Sequence, residues 1–277
     1  MISYDLHSHS TASDGTLTPS ELVRRASAAG VDVLALTDHD STAGLQEARV
    51  EAQRLGLSLV NGCEISVTWS GSTLHILGLN LSPDCSQLQT GLEEIREYRH
   101  WRAEEIARKL EKAGIKGALE GASKLAKGNL VSRTHFAHFL VNNGYAENVR
   151  SVFKKYLVKN KPGFVQGRWA SLENVMDWIK AANGQAVIAH PARYQLSRTK
   201  LVRLLNEFIE LGGVGIEVVS GSHSKDESFT MAKLAADHGL LASAGSDFHG
   251  PENPWIELGK LPNLPNGCKP IWHDWVH

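Results

Sequence analysis

Short apolar runs alternate with longer amphipathic stretches along the first 65 residues of the chain. The apolar runs have the length and composition of buried strands. Between the first two, TPSE at 18–21 is a helix capping box with proline at the first helical position, and this helix is expected to end near Gly30. A second helix is expected at about 43–55, with Gly56 as its stop. The three predicted strands lie at 2–6, 31–37 and 57–65.

A β-hairpin is predicted next, after which the alternation is interrupted until residue 185. The segments SVTW and TLHILGLNL form the two sides of this hairpin, around turn residues 70–72. After the interruption, helices are expected near 199–211 and 227–238. Because βα units repeat in both parts, the sequence predicts a parallel sheet or barrel of the α/β class. The later strands are predicted at 185–190, 214–219 and 240–245.

The interruption has the pattern of a helical insertion. Residues 93–114 carry apolar side chains at helical spacings and end in a glycine, which predicts an amphipathic helix. Further helical stretches are expected near 132–142 and 147–157, and together the three would form a small cap. The predicted domains are a barrel at 1–90 and 166–277 and a helical insertion domain at 91–165.

Charge separates the insertion from the rest of the chain. The formal net charge of the whole chain is −1, but the segment from Arg96 to Arg168 holds 16 Lys and Arg against 6 Glu and no Asp. The remainder holds 13 basic and 24 acidic residues. A basic cap suits an anionic substrate, whereas the near-neutral total lacks the broad basic surface of a protein that binds duplex DNA.

The composition is that of an ordinary globular protein, with 42% hydrophobic and 21% charged residues. No apolar run approaches the roughly 20 residues that span a bilayer, and the N-terminus lacks the pattern of a signal peptide. A cytoplasmic location without membrane attachment is therefore expected. The cysteines Cys63, Cys85 and Cys268 are scattered and predict neither a disulfide framework nor a thiolate zinc site.

Histidines and carboxylates recur where the predicted strands end. In a parallel barrel the carboxyl ends of the strands meet on one face, so these side chains would converge although they lie far apart in sequence. In the motif HSH, His7 and His9 point to the same side of an extended chain. Nitrogen and oxygen donors without thiolates suit Mn²⁺, Zn²⁺ or Fe²⁺ better than Ca²⁺ or a structural zinc. The residues are His7, His9, Asp38, His39, Asp40, Glu64, His190, Glu217, Asp247 and His249.

Six short motifs resemble, in order, those of the PHP (polymerase and histidinol phosphatase) family of metallophosphoesterases. The resemblance covers about residues 3–90 and 165–260. It implies a distorted (β/α)7 barrel that holds two or three divalent metal ions, with Mn²⁺ as the first choice and Zn²⁺ or Fe²⁺ as alternatives. The motifs are DLHSHSTASDG, ALTDHD, GCEIS, LHILG, IAHPAR and GSDFHG.

The resemblance also implies three metal sites with a ligand set for each. Glu64 would bridge two of the sites, and it is expected to be catalytic together with Asp247 and His190. The three sets are His7, His9, Glu64 and Asp247; Glu64, His75 and His190; and Asp14, His39 and His249.

Three acidic residues near these ligands belong to none of the sets. Asp38 and Asp40 flank His39 and have two interpretations each. Either they orient a metal ligand, or Asp38 is a turn residue and Asp40 is a helix N-cap. Glu217 matches no ligand of the family and is expected to support a ligand from behind.

Within the family, the chain is most similar to the branch of nucleotide phosphatases and 5′ exoribonucleases related to the TrpH protein of enteric bacteria. The insertion is part of this resemblance, through NLVSRTHFAHFLV at 129–141 and YLVKNKPGFV at 156–165. The resemblance implies hydrolysis of nucleoside 3′,5′-bisphosphates to 5′-monophosphates and trimming of short single-stranded RNA from its 5′ end, without an obligate protein partner. The expected substrate-binding residues are Arg133, Thr134, His135 and Arg193.

Other interpretations stay open. A histidinol phosphate phosphatase or a DNA exonuclease would use the same chemistry, and a noncatalytic metal-dependent nucleotide-binding module would belong to another class of protein. The basic insertion is evidence against the first alternative, and the complete ligand sets are evidence against the noncatalytic module. At the level of residues, Arg133, Thr134 and His135 alternatively form the exposed start of a helix, and His138 alternatively packs inside the cap.

Overall fold

In the computed structural model, which describes residues 2–126 and 130–275, a seven-stranded sheet forms the centre of the protein. The strands follow one another across the sheet in chain order. Backbone hydrogen bonds from Leu6 to Ala244 (2.9 Å) and from Asp247 to His7 (2.8 Å) connect its two edges, so the sheet is a nearly closed barrel. The strands are β1 (Tyr4–Asp5), β2 (Val33–Leu36), β3 (Ser58–Trp69), β4 (Ser72–Leu79), β5 (Gln185–Ile188), β6 (Gly215–Ser220) and β7 (Leu241–Gly245).

The barrel is mixed rather than fully parallel, which is its main distortion. β4 runs antiparallel to both β3 and β5, whereas the other neighbouring strands are parallel. The hairpin around turn residues 70–72 is confirmed. β3 does not end at residue 65 as predicted, because its first residues pair with β2 and its continuation pairs with β4. The predicted seven-stranded α/β barrel is therefore confirmed, with one strand longer than expected.

Nine α-helices are present in the described ranges. The first begins at the predicted capping box: the Glu21 amide donates to Thr18 Oγ1 (3.2 Å), and the Thr18 amide donates to Glu21 Oε2 (2.8 Å). The second ends at Gly56, whose φ of 69° is left-handed and favours glycine. The helices are α1 (Pro19–Ala28), α2 (Leu45–Leu55), α3 (Ser86–Lys112), α4 (Ala118–Leu125), α5 (Arg133–Asn142), α6 (Val149–Val152), α7 (Leu172–Ala181), α8 (Arg198–Glu210) and α9 (Lys225–His238).

Two features of the helices differ from the prediction. α3 begins at Ser86, before the expected start at residue 93, because Leu88 and Leu92 are buried in the barrel core. Cys85 precedes the helix without a capping side-chain hydrogen bond, so no local signal marks this start. α4 and α7 were not predicted at all. The predicted stretch near 147–157 is present as α6 followed by a π-helical turn, Phe153–Leu157.

The helices between the two halves of the barrel have a hydrophobic cluster of their own. Ile106 and Leu110 of α3 pack there with residues of α4, α5 and α6. Side-chain hydrogen bonds connect this helical segment with the loops after β1 and β2; for example, Thr134 Oγ1 donates to Asp14 Oδ2 (3.2 Å), and Arg99 Nε donates to Asp40 Oδ2 (2.6 Å). These contacts hold the segment beside the carboxyl ends of the strands. Within the described ranges, no helix combines the length and the apolar character needed to cross a bilayer.

Candidate metal centre

His7 and His9 follow β1 and lie buried at the carboxyl end of the barrel. Their Nε2 atoms are 3.1 Å apart. On the other side of the His7 ring, Nδ1 is 2.9 Å from Glu217 Oε1, so we assign the imidazole proton to Nδ1. The Nε2 lone pair of His7 then faces the same point as Nε2 of His9. Once both Nε2 atoms are deprotonated, their converging lone pairs fit a shared cation.

Glu64, which lies in β3, is surrounded by imidazole rings on both of its oxygen atoms. Oε1 is 2.8 Å from His75 Nδ1 and 2.9 Å from His190 Nε2. Oε2 is buried and finds no hydrogen-bond partner among the described residues, although three imidazole nitrogens lie 2.9, 3.2 and 3.3 Å away. A carboxylate in this position can bridge two cations. The three imidazoles around Oε2 belong to His39, His9 and His7.

Two aspartates complete the cluster from opposite ends of the chain. Asp247 Oδ1 lies 3.2 Å from His9 Nε2, while its Oδ2 accepts a hydrogen bond from Arg193 at 2.5 Å. Asp14 Oδ1 lies 3.3 Å from His249 Nε2 and has no hydrogen-bond partner in the described ranges. Thus each aspartate turns one oxygen toward imidazoles.

The donor set fits divalent metal ions. The described residues contain three groups in which one ligand atom from each member lies within 4.8 Å of the others. The first group has the composition expected from the resemblance. The second adds His9 to an expected set, and the third contains His39 where His190 was expected, although His190 also contacts Glu64. The groups are His7, His9, Glu64 and Asp247; His9, Asp14, His39 and His249; and His39, Glu64 and His75.

The electrostatics of the cluster favour ionised carboxylates. Burial alone would raise the pKa of Glu64, but the imidazoles of His39, His75 and His7 outweigh it and hold the pKa well below its usual range. Burial alone would lower the pKa of His9, but its contacts with the Asp247 and Glu64 carboxylates reverse the shift and raise the pKa to about 10. The carboxylates are thus ready to bind cations, and His9 must lose a proton before it can ligate one.

Glu217 supports the cluster from inside the barrel. It is fully buried in β6, and its Oε2 accepts the His190 amide at 2.5 Å while Oε1 contacts His7. The β6–β7 pairing shifts register between Glu217 and Val219, as at the bulges found beside many active sites. Gly245 allows the close approach, because a Cβ there would lie 2.2 Å from Cβ of His7. Glu217 therefore orients two predicted ligands.

The Asp38 and Asp40 carboxylates form no hydrogen bond with a candidate metal ligand among the described residues. Asp38 accepts hydrogen bonds from Ser10 and from Ser13 Oγ (2.7 Å), and so fixes the loop that leads to Asp14. Asp40 is not the N-cap of α2, which begins at Leu45 after Gly44. Instead, the buried Asp40 carboxylate accepts hydrogen bonds from Ser66 and Arg99. That N-cap prediction is wrong because an ion pair across the fold uses the carboxylate.

A pocket opens from the ligand cluster toward the helical segment, and four arginines line it. Two of them, Arg133 and the half-exposed Arg193, were predicted, and Thr134 lines the pocket as well. His135 does not appear among the lining residues; its Nδ1 accepts the Ser132 amide (3.0 Å) within the capping box of α5. His138 is half-buried.

Sequence reasoning missed the other two arginines, Arg99 and Arg102, together with Trp169 on the pocket wall. Both arginines are buried on α3, and each guanidinium lies over the Trp169 ring, at 5.0 and 5.2 Å from its centroid. Their spacing of three residues on the apolar face of a predicted amphipathic helix was a signal that could have found them.

Comparison with known proteins agrees with this geometry. The sequence model of the PHP domain matches residues 5–220. The chain belongs to the PHP domain family. Metal-dependent phosphoester hydrolysis is the chemistry of this family, and the family prediction from the six motifs is confirmed.

The relatives of this PHP protein fall in the predicted branch. It is 48% identical to the 3′,5′-nucleoside bisphosphate phosphatase of Chromobacterium violaceum, over 99% of this chain and 96% of the relative. It is also 48% identical to the 5′-3′ exoribonuclease Rnm of Escherichia coli, over 98% and 93% of the two chains. A solved structure of an amidohydrolase from Chromobacterium violaceum superimposes with a TM-score of 0.94 at 49% identity, covering 98% of this chain and 94% of the other.

Proposed function

We propose that this PHP protein hydrolyses the 3′-phosphate of nucleoside 3′,5′-bisphosphates and trims short 5′-phosphorylated RNA from its 5′ end. The observation that carries the proposal is one pocket with a carboxylate and imidazole cluster on the barrel side and arginines on the helical side. Relatives that are similar over nearly the whole chain are named for these two activities. A substrate with two phosphates, or with a phosphorylated end, matches such a pocket.

The cluster would hold two or three divalent ions, for which we propose Mn²⁺ first and Zn²⁺ or Fe²⁺ as alternatives. Two of the three ligand sets proposed from the family motifs share Glu64 as a bridging carboxylate, and Glu64, Asp247 and His190 are the proposed catalytic residues. When bound, such ions lower the pKa of water and neutralise charge on phosphoryl oxygens. Arg193, which is paired with Asp247, connects the ligand cluster with the exposed part of the pocket.

We assign the second phosphate to Arg133 and Arg193, whose planar guanidinium groups match a phosphate with paired hydrogen bonds. Arg133 is supported by the Phe153 ring, 5.6 Å from its guanidinium carbon. Thr134, which donates to Asp14, positions the start of α5 beside the ligand cluster. The whole segment 91–165 would act as a cap domain that admits an end of a nucleic acid and excludes an internal stretch. The expected cytoplasmic location stays a prediction.

The test measures turnover by purified protein with and without Mn²⁺, as inorganic phosphate released from the phosphomonoesters and as 5′-mononucleotides released from the RNA. The substrates are adenosine 3′,5′-bisphosphate, histidinol phosphate and a short 5′-phosphorylated RNA. The account predicts Mn²⁺-dependent turnover of the first and the third. Turnover of histidinol phosphate alone would replace the proposal with that activity, and binding of nucleotides without any turnover would indicate a noncatalytic module.

A further inference from the structure

Arg102 is a buried cation that has no carboxylate partner among the residues the structure describes. Its exposure is 8%, and Nε and Nη2 donate only to the Val165 carbonyl, at 3.3 and 3.0 Å. The cations Arg133 and Arg99 act on it electrostatically. Burial, followed by these two cations, lowers the pKa of Arg102 to about 9.

The neighbouring Arg99 shows that the fold can neutralise an arginine at this place. Arg99 lies one turn before Arg102 on α3, is buried to the same degree and faces the same Trp169 ring. It forms an ion pair with Asp40 at 2.5 Å, whereas no acidic residue in the described ranges pairs with Arg102 or with Arg133. Burial of an unpaired charge is costly, so two adjacent unpaired guanidinium groups on a pocket wall point to an anionic ligand.

We propose that Arg102 joins Arg133 and Arg193 in the subsite for the 5′-phosphate, and that Arg102 determines the preference for substrates with that phosphate. This inference rests on the proposed function and adds a residue that it does not assign. Arg193 is paired with Asp247, and Asp14 acts on Arg133 from a distance, so Arg102 has the least compensated charge of the three. A dianionic phosphate can accept hydrogen bonds from these groups at once.

The experiment compares Arg102→Ala and Arg102→Lys with wild type on adenosine 3′,5′-bisphosphate and on adenosine 3′-monophosphate. For Arg102→Ala, kcat/KM on the bisphosphate should fall about 10- to 100-fold, the range for lost charge-assisted hydrogen bonds, with little change on the monophosphate. Arg102→Lys should keep part of the preference. Arg108→Ala on the same helix is the matched control, because Arg108 is exposed and pairs with Glu105.

A second readout does not depend on turnover. Calorimetry should show that Arg102→Ala weakens binding of adenosine 5′-monophosphate while binding of adenosine stays unchanged. Equal losses of kcat/KM on both substrates, or equal losses of affinity for both ligands, would assign Arg102 a structural role and overturn the inference. If wild type hydrolyses neither substrate, the proposed function fails, and the calorimetry still decides the role of Arg102.

An independent observation concerns a row of aromatic rings that leads out of the pocket. Trp169 lines the pocket, Tyr98 lies 5.1 Å from it between ring centroids, and Trp101 lies 5.3 Å from Tyr98. Trp101 is 51% exposed on α3. Tyr98 is held in place because its hydroxyl donates to the Gln166 carbonyl (2.8 Å). The row is thus continuous with the pocket and ends at the surface.

We infer that this aromatic row binds single-stranded RNA beyond the cleaved phosphate, with a base stacked on Trp101. Base stacking on aromatic side chains needs no particular sequence, and a basic surround attracts the phosphate backbone. Arg168, next to Trp169, is exposed, and the segment from Arg96 to Arg168 carries most of the positive charge of the chain. The inference rests on the exoribonuclease part of the proposed function.

The experiment measures Trp101→Ala and Trp101→Phe on adenosine 3′,5′-bisphosphate and on 5′-phosphorylated RNAs of increasing length. Trp101→Ala should raise KM for the longer RNAs about tenfold, as expected for one lost stacking contact, and leave the bisphosphate unaffected. Trp101→Phe should restore most of the affinity. Phe229→Ala is the control, since Phe229 is equally exposed on α9.

An unchanged KM for all RNA lengths in Trp101→Ala would overturn this inference. So would a change in oligomeric state on gel filtration without an effect on RNA, because the row would then be a contact between copies of the chain. If wild type degrades no RNA but hydrolyses the bisphosphate, the exoribonuclease proposal fails instead, and RNA binding measured by fluorescence anisotropy still tests Trp101.

Discussion

At the scale of single residues, Glu217 orients two of the predicted ligands. Its carboxylate fixes the His7 ring through Nδ1 and the His190 backbone through the amide. Glu217→Gln keeps the shape of the side chain but replaces one carboxylate oxygen, a hydrogen-bond acceptor, with an amide group that donates. We expect a 10- to 100-fold loss of metal affinity, about the usual effect of removing such a partner, with the fold retained. Metal titration followed by calorimetry measures the affinity, and circular dichroism checks the fold.

Asp14 tests how many ions the cluster holds. Its Oδ1 is one of the buried oxygens without a hydrogen-bond partner in the described ranges, and it belongs to one of the three ligand groups only. Protein purified with Mn²⁺ should therefore contain two to three ions per chain, and Asp14→Ala should contain one fewer. Elemental analysis measures this number. At most one ion in wild type would contradict the multinuclear account.

The sequence predicted the nine candidate ligands because each carries a metal-binding group within a motif of the family. Glu217 is in no such motif; the sequence predicted that it supports a ligand, but only the barrel shows that the residues it contacts are His7 and His190. Asp40 was misinterpreted for a similar reason: a carboxylate before a helix normally caps it, but its partner Arg99 lies far along the chain. Contacts between distant segments leave no local pattern from which to predict them.

At the scale of elements, the ion pair between Asp40 and Arg99 connects α3 with the loop after β2. Both groups are buried, so removal of one leaves an uncompensated charge. We expect Arg99→Met to lower the free energy of unfolding by about 3–5 kcal/mol. The double variant Asp40→Asn/Arg99→Met should lose less than the sum of the single variants. Urea unfolding measures these values, and strict additivity would contradict the coupling.

The predicted elements were most accurate where local signals are strong. The capping box of α1 and the glycine stop of α2 placed those helices, and the turn at 70–72 placed the hairpin. α3 begins before the predicted residue because Leu88 in its first turn is buried in the barrel core, whereas no capping side chain marks this start. Tertiary packing of this kind overrides local propensity.

At the scale of the whole molecule, basic and acidic residues are concentrated in different parts of the chain, and the fold brings both kinds to one pocket. Arg99, Arg102 and Arg133 come from the basic segment, and the fold directs them into the pocket. The carboxylates that line the same pocket come from the acidic remainder. The sequence shows the excess of positive charge. It does not show where the arginine side chains point, because that depends on how α3 and α5 pack beside the barrel.

The proposed activity is metal-dependent removal of nucleotides from a phosphorylated 5′ end. The most direct measurement uses an RNA oligomer labelled at its 3′ end, with a 5′-phosphate or a 5′-hydroxyl, and samples the products over time with Mn²⁺ present. We predict a descending ladder of labelled fragments, release of 5′-monophosphates and faster decay of the 5′-phosphorylated RNA. Internal cuts, removal of nucleotides from the 3′ end, or equal rates for the two RNAs would contradict the account.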